Sequence, residues 1–130
     1  MNKLMIKSST AMAAALAIFA TSLPMEDANA ASVRVKCEKS ANRSKVSVDG
    51  RGLPSGSYRA RIISGDNAKR SPLVAGAGEI EFDFDSDRGN IAAGATAIGS
   101  SFIQGNRVTG QIKDSHGFTV ATATSVCTAK

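Results

Sequence analysis

The sequence predicts an all-β fold: a small antiparallel β-sandwich of about seven strands, closed by one disulfide and preceded by a cleaved signal peptide. Three observations carry this expectation. Apolar and polar residues alternate with a period of two along most of the chain after residue 30. All 12 glycines fall in that same region and punctuate the alternating runs at roughly ten-residue intervals, the spacing of turns in a sandwich or small barrel. The 2 cysteines, Cys37 and Cys127, stand near the two ends of the region.

Residues 1–30 have the layout of a secretory signal. Lys3 and Lys7 give a positive start, Thr10 to Ala20 an apolar core, and Ala28-Asn29-Ala30 the small-x-small pattern that precedes cleavage. A membrane-spanning helix needs roughly twenty apolar residues. This run is interrupted by Thr21, Ser22 and Pro24 well before that length, and no cysteine stands at the cleavage point to carry a lipid. The expected product is a single domain over residues 31–130 with no membrane span, placed in the periplasm or secreted. Removing the leader takes away all 4 methionines, and the chain has no tryptophan. The core is left to Val, Ile, Leu, four Phe and Tyr58, a modest supply for about one hundred residues. An oxidising destination makes a Cys37–Cys127 bridge the natural supplement. Its role is structural, because a redox pair normally places its cysteines close together and a reactive thiol needs a neighbouring base.

The strands follow in order. Val33, Val35 and Cys37 alternate with Arg34, Lys36 and Glu38, and Val46 and Val48 with Lys45, Ser47 and Asp49. Tyr58, Ala60 and Ile62 alternate with Arg59 and Arg61. Ile80, Phe82 and Phe84 alternate with Glu79, Glu81, Asp83 and Asp85, and Val108 and Ile112 with Arg107, Thr109, Gln111 and Lys113. Each pattern describes a strand with one wet face. Ala95 to Ile103 is expected as a further strand, joined to the Arg107 strand by a tight turn at Gln104-Gly105-Asn106-Arg107. Asp114 to Gly117 is the next turn, and Phe118 to Cys127, rich in Thr, Val and Ala, is expected as a central strand. Ser64 to Gly78 is the one long connection and the candidate mobile loop. No helix is expected after residue 30.

Leu53-Pro54-Ser55-Gly56-Ser57-Tyr58 resembles the turn that leads into a strand in many bacterial extracytoplasmic immunoglobulin-like domains. The resemblance implies an immunoglobulin-like sandwich in which Pro54 presets the turn, Gly56 takes a positive φ, and the Tyr58 hydroxyl bonds to the turn backbone. It implies nothing about function.

The strongest local charge signal is Glu79 to Asp87. On a strand, Glu79, Glu81, Asp83 and Asp85 project from one face about 7 Å apart and repel one another unless neutralised. One solution is internal: residues 31–78 hold ten basic and three acidic side chains, and Arg34, Lys36, Lys45, Arg59 and Arg61 form the candidate basic face. Another is calcium, because Asp83, Asp85 and Asp87 alternate before a glycine as hard oxygen ligands do at the start of a Ca²⁺ loop. Arg88 stands where that loop has its glycine, and Gly94 replaces the closing glutamate, so no metal or cofactor is assigned.

Residues 31–130 carry 14 basic and 9 acidic side chains, which favours anionic partners through long-range attraction. Outside the cytoplasm these are an unknown protein or an anionic envelope component, not nucleic acid, since aromatics interleaved with the cations are missing. Enzyme chemistry has little to stand on. The only histidine, His116, falls in a turn, and its neighbours Asp114 and Ser115 are too close along the chain to form a triad with it. One histidine and two committed cysteines also leave no ligand set for copper or zinc. The expected function is therefore a non-enzymatic accessory or binding domain of the bacterial envelope, acting as a monomer. The alternative is a structural subunit that self-associates through a strand edge, for which the nearly uncharged Ile91 to Gln104 segment is suited. A calcium-binding β domain using Glu79 to Asp87 is the second alternative.

Overall fold

Every run with period-two alternation folds as strand. The computed structural model describes residues 30–130, so the expected signal peptide lies, but for Ala30, outside the described residues. The elements are β1 (Ser32–Ser40), β2 (Arg43–Ser64), β3 (Asn67–Arg70), β4 (Val74–Asp85), α1 (Arg88–Ala92), β5 (Thr96–Ala97), β6 (Arg107–Asp114), β7 (Thr119–Val126) and β8 (Thr128–Ala129). Residues 31–130 form a compact unit of their own.

The architecture is organised by β2, 22 residues long, which belongs to two layers. Its first half lies between β1 and the end of β4, with Val48 opposite both Val35 and Phe82. Its second half lies between β6 and the β3–β4 stretch, with Ala60 opposite Ile112, Arg61 opposite Arg70 and Tyr58 opposite Val74. β7 extends this second layer by pairing with β6. β5 and β8 flank the first layer through short parallel pairings, Phe84 with Thr96 and Glu38 with Thr128. The described residues form eight hydrogen-bonded strands where about seven are expected, and the all-antiparallel expectation is corrected by two parallel contacts, each contributed by a two-residue strand.

The Leu53 to Tyr58 stretch is not a turn between strands. It is a corner inside β2, where the register with β4 slips between Gly50 and Leu53 and again between Leu53 and Gly56. Such irregularities bend a strand and increase its twist, which lets one strand pass from layer to layer. The left-handed backbone falls on Gly52 (φ 67°), not on Gly56. The expected tyrosine contact is present: buried Tyr58 donates its hydroxyl hydrogen to Pro54 O at 2.6 Å.

The inward residues of both layers make one core, with Val46, Val48, Ala60, Ile62, Phe84, Val108 and Ile112 fully buried. Cys37 on β1 and Cys127, between β7 and β8, are joined in a disulfide with Cα atoms 4.6 Å apart. Close approach of the layers depends on Gly110, because a Cβ there would stand 2.6 Å from Val35 Cγ2 and 3.2 Å from Val48 Cγ2. Valine is stiff at χ1, so the clash cannot be relieved by rotating a flexible tip. Gly110→Val is expected to cost about 2 to 3 kcal/mol by overpacking. A chemical-denaturation midpoint equal to that of the parent protein would contradict this.

Four further expectations are corrected. Ser64 to Gly78 is not a loop: a tight turn at Gly65 (φ 57°) leads directly into β3, and both β3 and the first residues of β4 pair with β2. Ala95 to Ile103 is not a strand beyond Thr96–Ala97. Its buried residues Ile98, Phe102 and Ile103 do not alternate, and its backbone is held by buried hydroxyls. Ser44 Oγ donates to Ser100 O at 2.7 Å and accepts from Ile103 N–H, while Ser64 Oγ accepts from Gln104 N–H at 2.7 Å. Ile98, Phe102 and Ile103 of this segment therefore plug the core, while Thr96–Ala97 forms an end strand of the sheet beside β4. Arg88–Ala92 is a short helix, started by the Asp87 carboxylate, which accepts the Asn90 N–H at 3.1 Å. Finally, the Phe118 to Cys127 run is not central: β7 pairs with β6 alone, and Phe118, Val120 and Val126 are exposed. The tight turn at Gln104 to Arg107 is as expected, with Gly105 and Asn106 both at positive φ.

Candidate functional site

Two outward faces carry the charge. In the first layer, β4 presents Glu79, Glu81 and Asp83, and the adjacent strand is β2, with Ser47 opposite Asp83 and Asp49 opposite Glu81. Ser47 Oγ donates to Asp83 Oδ1 at 2.8 Å. Arg51 bridges Asp49 at 3.2 Å and Glu79 at 3.7 Å. The Glu81 carboxyl titrates above its ordinary value because Asp83 is near, with desolvation and Asp49 adding to it. On the far side of β2, Arg34 stands opposite Asp49 and Lys36 opposite Ser47, while Lys45 lies between Glu38 and Asp85. This face is a mixed-sign surface.

Asp85 leaves the ladder altogether. Its side chain is 2% exposed and accepts from Arg43 Nε at 3.0 Å, Arg43 Nη2 at 2.7 Å, Asn90 Nδ2 at 2.8 Å and the Asp87 backbone N–H at 3.0 Å. The Arg43 hydrogen bonds lead in holding this carboxyl far below the usual carboxylate range, against the opposing effect of burial. Asp85 is thus committed to Arg43 and to the start of α1, and Asp87 to the α1 cap. Among the described residues, no group of three or more His, Cys, Asp or Glu side chains is placed to hold a metal ion.

The second layer is different. Arg59 and Arg61 alternate with buried Tyr58, Ala60 and Ile62 on β2, so both arginines face outward. Register sets Arg70 of β3 directly opposite Arg61 and Lys113 of β6 directly opposite Arg59. Directly opposed residues share a face, so four cations converge on one surface, and Lys69 borders it. The ion pairs among the described residues are Arg43–Asp85, Arg51–Asp49, Arg51–Glu79 and Lys130–Glu38, none of which involves this cluster. Like charges directly opposite one another are destabilising. An anion laid across the strands relieves that repulsion. A shallow groove of about 720 Å³ runs beside it, lined by Arg61, Ala68, Lys69, Arg70, Lys113 and Gly117.

The candidate basic residues are therefore divided between the layers: Arg34, Lys36 and Lys45 lie on the mixed-sign face, Arg59 and Arg61 on the cationic one. Arg70, Lys69 and Lys113 were missed as members. Their charge was visible, but only strand pairing shows that they stand beside Arg59 and Arg61. His116 sits in the β6–β7 turn, its backbone N–H bonded to Asp114 Oδ1 at 2.9 Å.

Fold and face together describe an all-β domain with a disulfide and an unpaired cationic surface. No family model matches the chain, and no curated protein matches it. Among solved structures it is similar to the CARDB domain of a Pyrococcus furiosus protein, determined in complex with di-metal ions, at 13% identity and a TM-score of 0.41. That match covers 78% of this chain and 93% of the other. No helix among the described residues is long and apolar enough to cross a membrane.

Proposed function

We propose that this protein is an exported, non-enzymatic binding domain of the bacterial envelope, immunoglobulin-like in type, that takes an anionic component on the outer face of its second layer. The observation that carries the reading is the convergence of Arg59, Arg61, Arg70 and Lys113 without a carboxylate partner. The Cys37–Cys127 bridge supports an oxidising destination, periplasmic or secreted. Planar guanidinium groups suit phosphate or sulfate, which they bind through two parallel N–H bonds.

Two probes test it: soluble inorganic polyphosphate, and vesicles containing phosphatidylglycerol. Binding of either at low salt is expected, weakening steeply as the Debye length shrinks to about 10 Å near 0.1 M. Arg59→Ala with Arg61→Ala is expected to lower that affinity roughly 25-fold, at about 1 kcal/mol per cation. If neither probe binds at low salt, the reading is overturned.

Self-association through a strand edge is the second reading. The strand suited to it is β7, uncharged over Thr119–Val126 and bonded only to β6. Light scattering over a concentration series decides: a constant monomer mass removes it.

A further inference from the structure

The exposed apolar residues are not scattered. Leu73, Val74, Phe118, Val120 and Val126 are the large hydrophobics that stand exposed among the described residues. Four of these five lie at one end of the second layer. Val74 is opposite Tyr58, and Tyr58 is opposite Asp114, whose backbone N–H bonds Phe118 O at 3.0 Å. Leu73–Val74 and Phe118 thus sit on the same level of the sheet, three strand spacings or roughly 14 Å apart. That level is one residue beyond Arg59 and Lys113, where the cationic face begins. Phe118 is 69% exposed although the domain has few aromatic side chains for its core. Gly117, its neighbour, lines the cationic groove.

Single apolar residues on a surface need no explanation, but a group of them bordering a cluster of unpaired cations does. A soluble polyanion would use the cations and leave the apolar end in water. An anionic bilayer uses both: headgroup phosphates meet the arginines while apolar side chains enter the boundary with the acyl chains. The Arg51–Glu79 ion pair belongs to the first layer, while Val74 also borders a groove lined by Glu81 and Asp83 of the ladder, so Phe118 and Leu73 carry the apolar side of this surface.

We infer that this end of the second layer docks on an anionic lipid surface, with Phe118 and Leu73–Val74 entering the interface and Arg59, Arg61, Arg70 and Lys113 engaging lipid phosphates. This rests on the cationic face being the binding face, and it names the partner. The proposed contact is peripheral, formed by a turn and a strand junction.

The absence of tryptophan supplies the test. Phe118→Trp in the domain of residues 31–130, which forms its own compact unit with its own core and disulfide, places a single indole at the proposed contact. Vesicles of phosphatidylglycerol mixed with phosphatidylcholine are expected to shift its emission to the blue, and bromine-labelled lipid to quench it. Pure phosphatidylcholine vesicles should leave the emission unchanged. Phe118→Ser with Leu73→Ser is expected to lower vesicle affinity at least tenfold while leaving polyphosphate binding intact. Arg61→Ala is expected to lower both, roughly fivefold. Binding to polyphosphate but not to anionic vesicles would overturn the membrane assignment and keep the anion-binding face. So would vesicle binding with unshifted emission and no effect of the serine substitutions. Loss of binding to both probes in the parent domain would overturn both.

Discussion

Replacing Cys37 and Cys127 together by alanine is expected to remove about 4 to 5 kcal/mol of stability, the largest effect of any change proposed for this domain. The bridge closes a loop of sequence separation 90, nearly the whole domain, so the unfolded chain loses much of its freedom when it is intact. A domain of this size has about 5 to 15 kcal/mol in hand, so the loss brings the fold close to its limit. The effect has a local part as well. β8 meets β1 in two register pairs, Glu38 with Thr128 and Lys39 with Ala129, with Lys130 N–H also bonded to Lys39 O, and Cys127 is the residue that leads into it. Denaturant midpoints of the oxidised parent and the double alanine variant measure the difference. A shift worth less than about 1 kcal/mol would show that packing alone closes the sandwich.

Asp85→Ala is expected to cost about 3 kcal/mol, because a carboxylate accepting four hydrogen bonds at the base of α1 is removed and its donors are left in place. The same group sets an acid limit. Its folded-state pKa lies below the ordinary value near 4 for an unfolded aspartate, so its contribution is complete above about pH 5. It is lost progressively as the pH falls through 4 toward the folded-state value. Asp85→Asn keeps the shape but not the charge, so it should be less stable than the parent at pH 7 and should flatten the acid limb of the stability profile. Parallel profiles for the two proteins between pH 2 and 6 would show that Asp85 is not the group responsible.

Asp85 also shows where sequence reading stops. Alternation placed it correctly on a strand and on the ladder side, yet the residues that remove it from the ladder are Arg43, 42 positions earlier, and Asn90, in a helix too short to have a period. The positions of the strands were legible because burial on one face imposes a period of two, and the buried members Val46, Val48, Ile80, Phe82, Phe84, Val108 and Ile112 all obey it. Ile98, Phe102 and Ile103 are buried without obeying it, since serine hydroxyls supply the hydrogen bonds that a neighbouring strand otherwise would. β7 misled for a related reason. Its Thr and Val content gives strong β propensity, but propensity does not tell a strand with two neighbours from one with a single neighbour. The cationic site was half legible: Arg59 and Arg61 were visible as a pair, whereas Arg70 and Lys113 joined them only through β2–β3 and β2–β6 register.

The pairing of β1 with β8 and the Cys37–Cys127 bridge tie the first strand of the domain to its last. A nascent chain has no partner for Cys37 until residue 127 has been synthesised, and β1 cannot gain its outer neighbour before residue 128 is available. Folding therefore completes only after translation of the domain, through contacts of long sequence separation that form slowly. Until then β1 stays open along its outer edge, with Cys37 unpaired.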